Sequence, residues 1–435
     1  MYKVSIVSLG CSKNLVDSEV IMSALQNRGY TLVEDESEAE VIIVNTCCFI
    51  EDAKMESIEM IIDLGQLKKE NCKALIVTGC MAQRYKEQIL REMPEVDAVA
   101  SIGADLTKAV VSAMEGSRCV VEDNWETDGT RVLTTPPYTA YLKIAEGCDN
   151  HCTYCVIPSI RGKFISRPME EVIAEAKTLA DGGVKELVII AQDTSNYGAD
   201  LYGEPKLAAL LDELCKLDFT WIRLQYCYPE RVTDKLIDTM AKQDKICKYI
   251  DLPIQHTEDR ILKLMGRRST KAQITELVKK LRERMPDIVI RTTLITGFPG
   301  ETGEEFDAMC EYINEMEFDR LGAFAYSCEE DTPAAKMKDQ IPEETKLSRQ
   351  ETIMMLQYDV AQAKAEQLKG KVLDFLIEGY DEIVKKYYGR TYGDSPEVDT
   401  MVFASGAKGI EPGTMAKVEI TDFMDYDLYG DLITE

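Results

Sequence analysis

Near its start the chain repeats one pattern three times: a short β-branched run, a turn containing a cysteine, then a helical segment. The runs are Val4–Val7 before "SLGCSKNLVDSE" (Ser8–Glu19), Val41–Val44 in "VIIVNTCCF", and Ala74–Thr78 in "ALIVTGC". Such alternation predicts a parallel sheet wound on both faces. The expected strands are Lys3–Ser8, Val41–Val44 and Ala74–Thr78. The expected helices are Ser18–Arg28, Glu51–Lys69 and Ala82–Glu92. Ligands of open α/β sheets sit beyond the carboxyl ends of the strands, and Cys11, Cys47 and Cys80 fall there. One such thiol would be an ordinary small core residue. Three at equivalent strand ends read as one shared metal site. Cys48, next to Cys47, points the other way if the local chain is extended, yet it could substitute as ligand. Asp17 and Glu19 read as charges at the start of the first helix.

Composition narrows the metal. The 435 residues hold fourteen cysteines and only two histidines, His151 and His256. No apolar run is long enough to span a bilayer. The first residues read as a strand rather than a secretion signal, so a cytoplasmic setting without a membrane is expected, and disulfides are not. Thiolates without imidazoles point to zinc or iron–sulfur chemistry. The net charge is −27, from 50 basic and 77 acidic residues. That balance repels a phosphate backbone and attracts a basic partner; taken alone it also serves simple solubility.

A polar stretch with paired prolines, Val121–Ala140, marks a domain boundary. Strand–helix alternation then resumes, with strands expected at Ala140–Ala145, Glu186–Ala191, Trp221–Leu224, Tyr249–Leu252, Val289–Leu294 and Arg320–Ala325. Six β/α units predict a partial, open barrel with its chemistry at the C-terminal mouth of the strands. Polar residues recur at those mouths: Gln192 and Asp193, Gln225, Gln255 and His256, and "TGFPGE" (Thr296–Glu301). Glu343–Lys369 is a charged connector helix. From about Gly370, short strands and glycine turns predict a small antiparallel barrel. The expected domains are 1–125, 136–365 and 366–435, all of one α/β fold class with a β-barrel appended.

"EGCDNHCTYC" places Cys148, Cys152 and Cys155 in a CxxxCxxC array just after the first barrel strand. Three thiolates on a 4Fe–4S cluster leave one iron open, and an open iron can chelate the amino and carboxylate groups of S-adenosylmethionine. Zinc would want a fourth nearby Cys or His, and His151 does not complete the usual paired spacing. The array, with Tyr154 before its last cysteine, resembles the radical S-adenosylmethionine superfamily.

The chain as a whole resembles the methylthiotransferases, enzymes that replace C–H by C–S–CH3. The matching motifs are "LGCSKNLVDSE", "NTC", Gly79-Cys80, "GCDNHCTYCVIP", "RGKFISRP", "AQDT", "LPIQH", "MGRR" and "TGFPGET". "NTCC" departs from them, because the family usually has a small residue after "NTC". The resemblance implies two 4Fe–4S clusters. Cys11, Cys47 and Cys80 would hold an auxiliary one that carries sulfide or polysulfide, and Cys148, Cys152 and Cys155 the radical-generating one. It also implies that the small barrel is a TRAM domain. No catalytic residue is assigned beyond the cluster ligands. Candidate contacts for S-adenosylmethionine are Tyr154, Gln192, Asp193, Arg291, Thr293, Gly297 and Glu301, each of which could instead be a structural hydrogen-bonding group.

Within the family, "SLGCSKNLVDSE" and "GRTYGDSPEVD" (Gly389–Asp399) resemble the RimO branch. That branch modifies an aspartate of ribosomal protein S12, whereas the MiaB-like branch modifies tRNA. Residues 366–435 carry seven Lys or Arg against fifteen Asp or Glu. A tRNA-binding barrel calls for a basic face, so the expected substrate is the basic protein and tRNA is the alternative. A non-catalytic iron–sulfur carrier is the remote one. The resemblance also implies an electron donor such as flavodoxin or ferredoxin. Cys72, Cys119, Cys215, Cys247, Cys310 and Cys328 read as core or surface thiols; Cys227 stands apart because it lies near a strand mouth.

Overall fold

The computed structural model describes residues 2–123 and 129–433. The expected domain boundary at 125 and the final residue 435 lie outside the described residues. By compactness the chain divides into two units. The first is Met1–Thr134 with Glu146–Phe164 and Glu329–Thr332; the second is Thr135–Ala145, Ile165–Cys328 and Pro333–Glu435.

The first unit holds a parallel sheet of β1 (Lys3–Ser8), β2 (Thr31–Leu32), β3 (Val41–Thr46), β4 (Ala74–Thr78), β5 (Ala98–Ala100) and β6 (Cys119–Val121), in the order β2-β1-β3-β4-β5-β6. Its helices are α1 (Ser12–Asn27), α2 (Glu51–Gly65), α3 (Gly79–Glu92) and α4 (Leu106–Met114). Alternate strand residues feed two cores, as sheets buried on both faces require. Ile42, Val44, Leu75 and Val77 pack with Ile61 of α2 and Ile89 of α3. Val41, Ile43, Ala74 and Ile76 pack with Leu25 of α1 and Val110 of α4. The order reverses between β1 and β3, so the crevice at their carboxyl ends is the switch point where such sheets bind ligands.

Several sequence expectations need correction here. α1 starts at Ser12 rather than Ser18, and its N-cap is Cys11 itself. α3 starts at Gly79, so Cys80 lies in its first turn; the helix kinks at Lys86, where φ is 30°. The elements β5, α4 and β6 had no counterpart in the sequence reading. Asp17 and Glu19 lie inside α1, not at its capped start.

In the second unit, the strands Thr139–Lys143, Glu186–Ile190, Trp221–Leu224, Ile246–Asp251, Val289–Thr296 and Arg320–Ala325 form one parallel sheet in sequential order. This is the partial (β/α)6 architecture, and all six expected strands are present. The connector helix runs Glu343–Glu366. Five strands then close a small barrel around Phe375, Ile377, Tyr387, Val402, Val418 and Ile420.

The segment "GRTYGDSPEVD" of the small barrel reaches five strands of the six-stranded sheet. Arg390 Nη2 donates to Glu186 (2.6 Å), and Arg223 Nη1 donates to the Tyr392 carbonyl (2.6 Å). Arg320 Nη2 donates to Asp394 (2.7 Å), the Tyr249 hydroxyl donates to Asp399 (2.8 Å), and Arg291 pairs with Asp399. Glu186 also accepts from Arg223 Nε (2.8 Å), and both side chains are fully buried. Buried charges persist only when paired, so these ion pairs tie the small barrel to the larger one as a single compact body.

Candidate metal centres

Two glycines set the spacing of the N-terminal thiols. Gly10 has φ +84°, and a Cβ there would lie 2.9 Å from the Cys47 sulfur. Gly79 has φ +89°, and a Cβ there would lie 2.2 Å from Asn45 Oδ1 and 2.5 Å from the Thr46 carbonyl. Only glycine accepts such a conformation without strain, so the turns bearing Cys11 and Cys80 can press against the end of β3. Asn14 Nδ2 donates to the carbonyls of Leu9 (3.0 Å) and Thr46 (2.9 Å), joining the ends of β1 and β3. Asn45 Nδ2 donates to the Asn14 carbonyl (2.8 Å) and to Ser18 Oγ (2.9 Å). Ser57 Oγ accepts from the Cys47 amide (3.1 Å) and donates to the Cys47 carbonyl (2.9 Å). The Cys80 thiol donates to Asn14 Oδ1 at 3.7 Å.

Cys47 and Cys80 are buried and Cys11 is exposed. Burial, then the nearby Cys11 and Cys80 sulfurs, push the Cys47 thiol up to about 11. Burial also pushes Cys80 up, against the pull of the Arg161 guanidinium. Among the described residues no group of three or more His, Cys, Asp or Glu could hold one metal ion. A cluster asks for something else, one thiolate on each of three irons. Three sulfurs just beyond the carboxyl ends of the adjacent strands β1, β3 and β4 fit that demand. Cys48 is fully buried among Ile61, Cys72 and Val77.

The CxxxCxxC loop belongs to the same compact unit. Gly147 has φ +76°, and a Cβ there would meet the Lys163 carbonyl at 2.0 Å. The Cys148 amide donates to the Gly162 carbonyl (3.1 Å) and the Cys155 amide to the Cys152 carbonyl (3.1 Å). Asn150 Nδ2 donates to the Cys148 sulfur at 3.4 Å. Burial, then Cys152 and Cys148, raise the Cys155 thiol. His151 is exposed with φ 50°. The donors here are again three sulfurs, which fits a cluster with one open iron better than a tetrahedral zinc.

The remaining candidates divide. Tyr154 is half-buried on the cysteine loop, and Gln192 and Thr293 are half-buried in the second unit. Asp193 is fully buried, where it accepts from Ser195 Oγ (2.7 Å) and pairs with Arg231. Arg291 lies between Asp251 (3.2 Å) and Asp399 (3.4 Å). Glu301 accepts from the Gly297 amide (3.1 and 3.0 Å), lies 3.2 Å from His256 Nε2 and pairs with Arg349. Asp193, Arg291 and Glu301 thus already have structural partners. Cys227 is fully buried. Sequence reading missed Asn14, Asn45, Ser57 and Arg161. Asn14 offered a signal, since it stands three residues after Cys11, within a helical turn of it. Asp17 pairs with Arg161 (2.7 Å), and Glu19 accepts from the Thr134 amide (2.8 Å) and pairs with Arg131 (3.4 Å). Both are internal charge partners rather than helix-end charges.

Three family models match: "Uncharacterized protein family UPF0004" over residues 3–101, "Radical SAM superfamily" over 142–313 and "TRAM domain" over 370–433. The ribosomal protein uS12 methylthiotransferase RimO of Clostridioides difficile is 49% identical over 443 residues, spanning 100% of both chains. The protein of the same name from Lachnoclostridium phytofermentans is 50% identical over 438 residues, covering 98% of this chain and 99% of that one. The chain belongs to the RimO family. RimO membership, with its radical domain, implies S-adenosylmethionine and a 4Fe–4S cluster as cofactors. The chain also shares its fold with the radical S-adenosylmethionine methyltransferase TsrM from Kitasatospora setae. The TM-score is 0.56 at 16% identity, over 76% of each chain. No helix among the described residues is long and apolar enough to cross a membrane.

Proposed function

We propose that this protein is a radical S-adenosylmethionine methylthiotransferase that places a methylthio group on the β-carbon of an aspartate in ribosomal protein S12. The observation that carries the reading is that two three-thiol sets occur in one compact unit of a chain matching RimO proteins over its full length. The domains are taken as 1–125, 136–365 and 366–435, and the setting as cytoplasmic.

Cys148, Cys152 and Cys155 would hold one 4Fe–4S cluster, which with S-adenosylmethionine would supply radical chemistry; Cys11, Cys47 and Cys80 would hold a second, with sulfide or polysulfide as sulfur source. The unactivated β-C–H bond requires such chemistry, because no side-chain base of ordinary pKa removes that proton. The protein's own part is positional. Gly10 and Gly79 allow close approach of the N-terminal turns. Asn14 and Asn45 lock strand ends together. Ser57 fixes the Cys47 backbone. Tyr154, Gln192, Asp193, Arg291, Thr293, Gly297 and Glu301 remain candidates for orienting S-adenosylmethionine, with Asp193, Arg291 and Glu301 acting through the partners they already hold. A flavodoxin or ferredoxin supplies the electrons. The acidic C-terminal segment suits a basic protein better than tRNA.

The test is anaerobic reconstitution followed by reductant, S-adenosylmethionine and either ribosomal protein S12 or tRNA lacking the modification. The expected result is the mass gain of SCH3 replacing H on S12 together with 5′-deoxyadenosine. Modification of tRNA alone would favour the MiaB-like reading. Absence of both products would leave only a cluster carrier.

A further inference from the structure

Arg161 closes the short helix Ile157–Arg161 that follows the CxxxCxxC loop. Its side chain is 2% exposed. It donates through Nη1 to Asp17 Oδ2 (2.7 Å) and Glu146 Oε2 (3.2 Å), and through Nη2 to Asn14 Oδ1. The Cys80 thiol donates to the same Asn14 oxygen at 3.7 Å. All these residues belong to the first compact unit. One side chain on the loop of the second cysteine set therefore shares an acceptor, Asn14 Oδ1, with a sulfur of the first.

Core stability alone does not account for this placement. The carboxylates of Asp17 and Glu146 keep part of their surface in water, so the fully buried charge is the guanidinium. Burying it is costly, and an apolar side chain would fill the space without that cost. A guanidinium one shared acceptor away from a ligand sulfur does what an apolar side chain cannot. Hydrogen bonds to cluster sulfurs and local charge are main determinants of an iron–sulfur reduction potential. We infer that Arg161 is a positioning residue that, through the shared Asn14 oxygen, acts on Cys80 and sets the reduction potential of the cluster on Cys11, Cys47 and Cys80. This rests on the reading that those three thiols hold a 4Fe–4S cluster. The reduced cluster carries one more negative charge than the oxidised one. A nearby guanidinium favours the reduced form and raises the potential, while the carboxylate of Asp17 lowers it.

The test uses the full chain with Cys148, Cys152 and Cys155 replaced by Ala, so that iron loads only at the N-terminal set. After reconstitution with iron and sulfide, iron content is measured and the cluster is titrated with dithionite under electron paramagnetic resonance. Arg161→Met should shift the midpoint to a more negative potential than this parent. Arg161→Lys, which keeps the charge, should stay close to the parent, and Asp17→Asn should shift the midpoint to a more positive potential. Unchanged midpoints, or Arg161→Met and Asp17→Asn shifting the same way, would overturn the role of Arg161. A merely structural side chain would lower iron content without shifts of opposite sign. Should Arg161→Met take up no iron, the Lys and Asn variants decide by the same criteria. A parent that binds no iron overturns the ligand reading and the inference with it.

Discussion

Glu186 gives the most quantitative prediction. It starts its barrel strand with no exposed surface, between Arg223 Nε (2.8 Å) and Arg390 Nη2 (2.6 Å). Burial alone would push its carboxyl up, but the Arg390 and Arg223 guanidiniums outweigh burial and hold it at about 2, against an ordinary 4.5. At about 1.4 kcal/mol per pH unit, that gap corresponds to about 3 kcal/mol of stability. The native-state value is the depressed one. The contribution is therefore complete above about pH 4.5 and disappears as pH falls toward 2. Glu186→Gln removes the charge and leaves Arg223 buried without its carboxylate, whereas Arg390 keeps Glu378 (2.8 Å). Loss of one partner of a buried pair costs about 3–5 kcal/mol, so the variant should lose about 3 kcal/mol at pH 7. Trp221 pairs directly with Glu186 in strand register, and the chain has two tryptophans. Urea unfolding followed by Trp221 fluorescence in a Trp125→Phe background therefore reports on this region. The difference between parent and variant should shrink as pH falls below 4.5. A difference under about 1 kcal/mol at pH 7, or one unchanged by acid, would refute the reasoning.

Other variants probe the metal centres. Cys11→Ala should abolish methylthio transfer but leave 5′-deoxyadenosine release, with both products quantified by mass spectrometry. Gly79→Ala drives a Cβ to within 2.2 Å of Asn45 Oδ1 at a positive φ; it should lose at least about 2 kcal/mol in denaturant unfolding and lower iron uptake at the N-terminal set. Cys48→Ala should keep the parental iron content and Cys47→Ala should not, as measured by iron and sulfide assay, because Cys48 has no exposed surface whereas Cys47 and Cys80 each keep some.

Most strands were legible as compact apolar runs, β-branched in β1, β3 and β4. Their thiols were legible because cysteine has few roles at a strand end. The start of α1 was not legible. Its buried residues include Lys13, Asn14, Ser18, Glu19 and Ser23, so its inner face carries a polar network and shows no apolar period for sequence reading to find. β5 and β6 are three-residue strands, too short for a pattern. Pairs such as Glu186 with Arg390 are 204 residues apart, and no local rule joins them. Asp193, Arg291 and Glu301 drew attention as polar groups at strand mouths. Sequence could not reveal the charge partners Arg231, Asp251 and Arg349, which lie 38, 40 and 48 residues away.

The clamp around Cys47 has a consequence for how iron enters. Ser57 holds its peptide on both sides, Asn14 and Asn45 tie the neighbouring strand ends, and Gly10 leaves no room for another side chain. The N-terminal donors are thus preorganised, and loading has little backbone entropy left to remove. Small zinc modules differ, since metal binding supplies their folding free energy. Here the first unit should keep its circular dichroism without iron. Iron should then add stability only by mass action, growing with the logarithm of the free concentration relative to its dissociation constant.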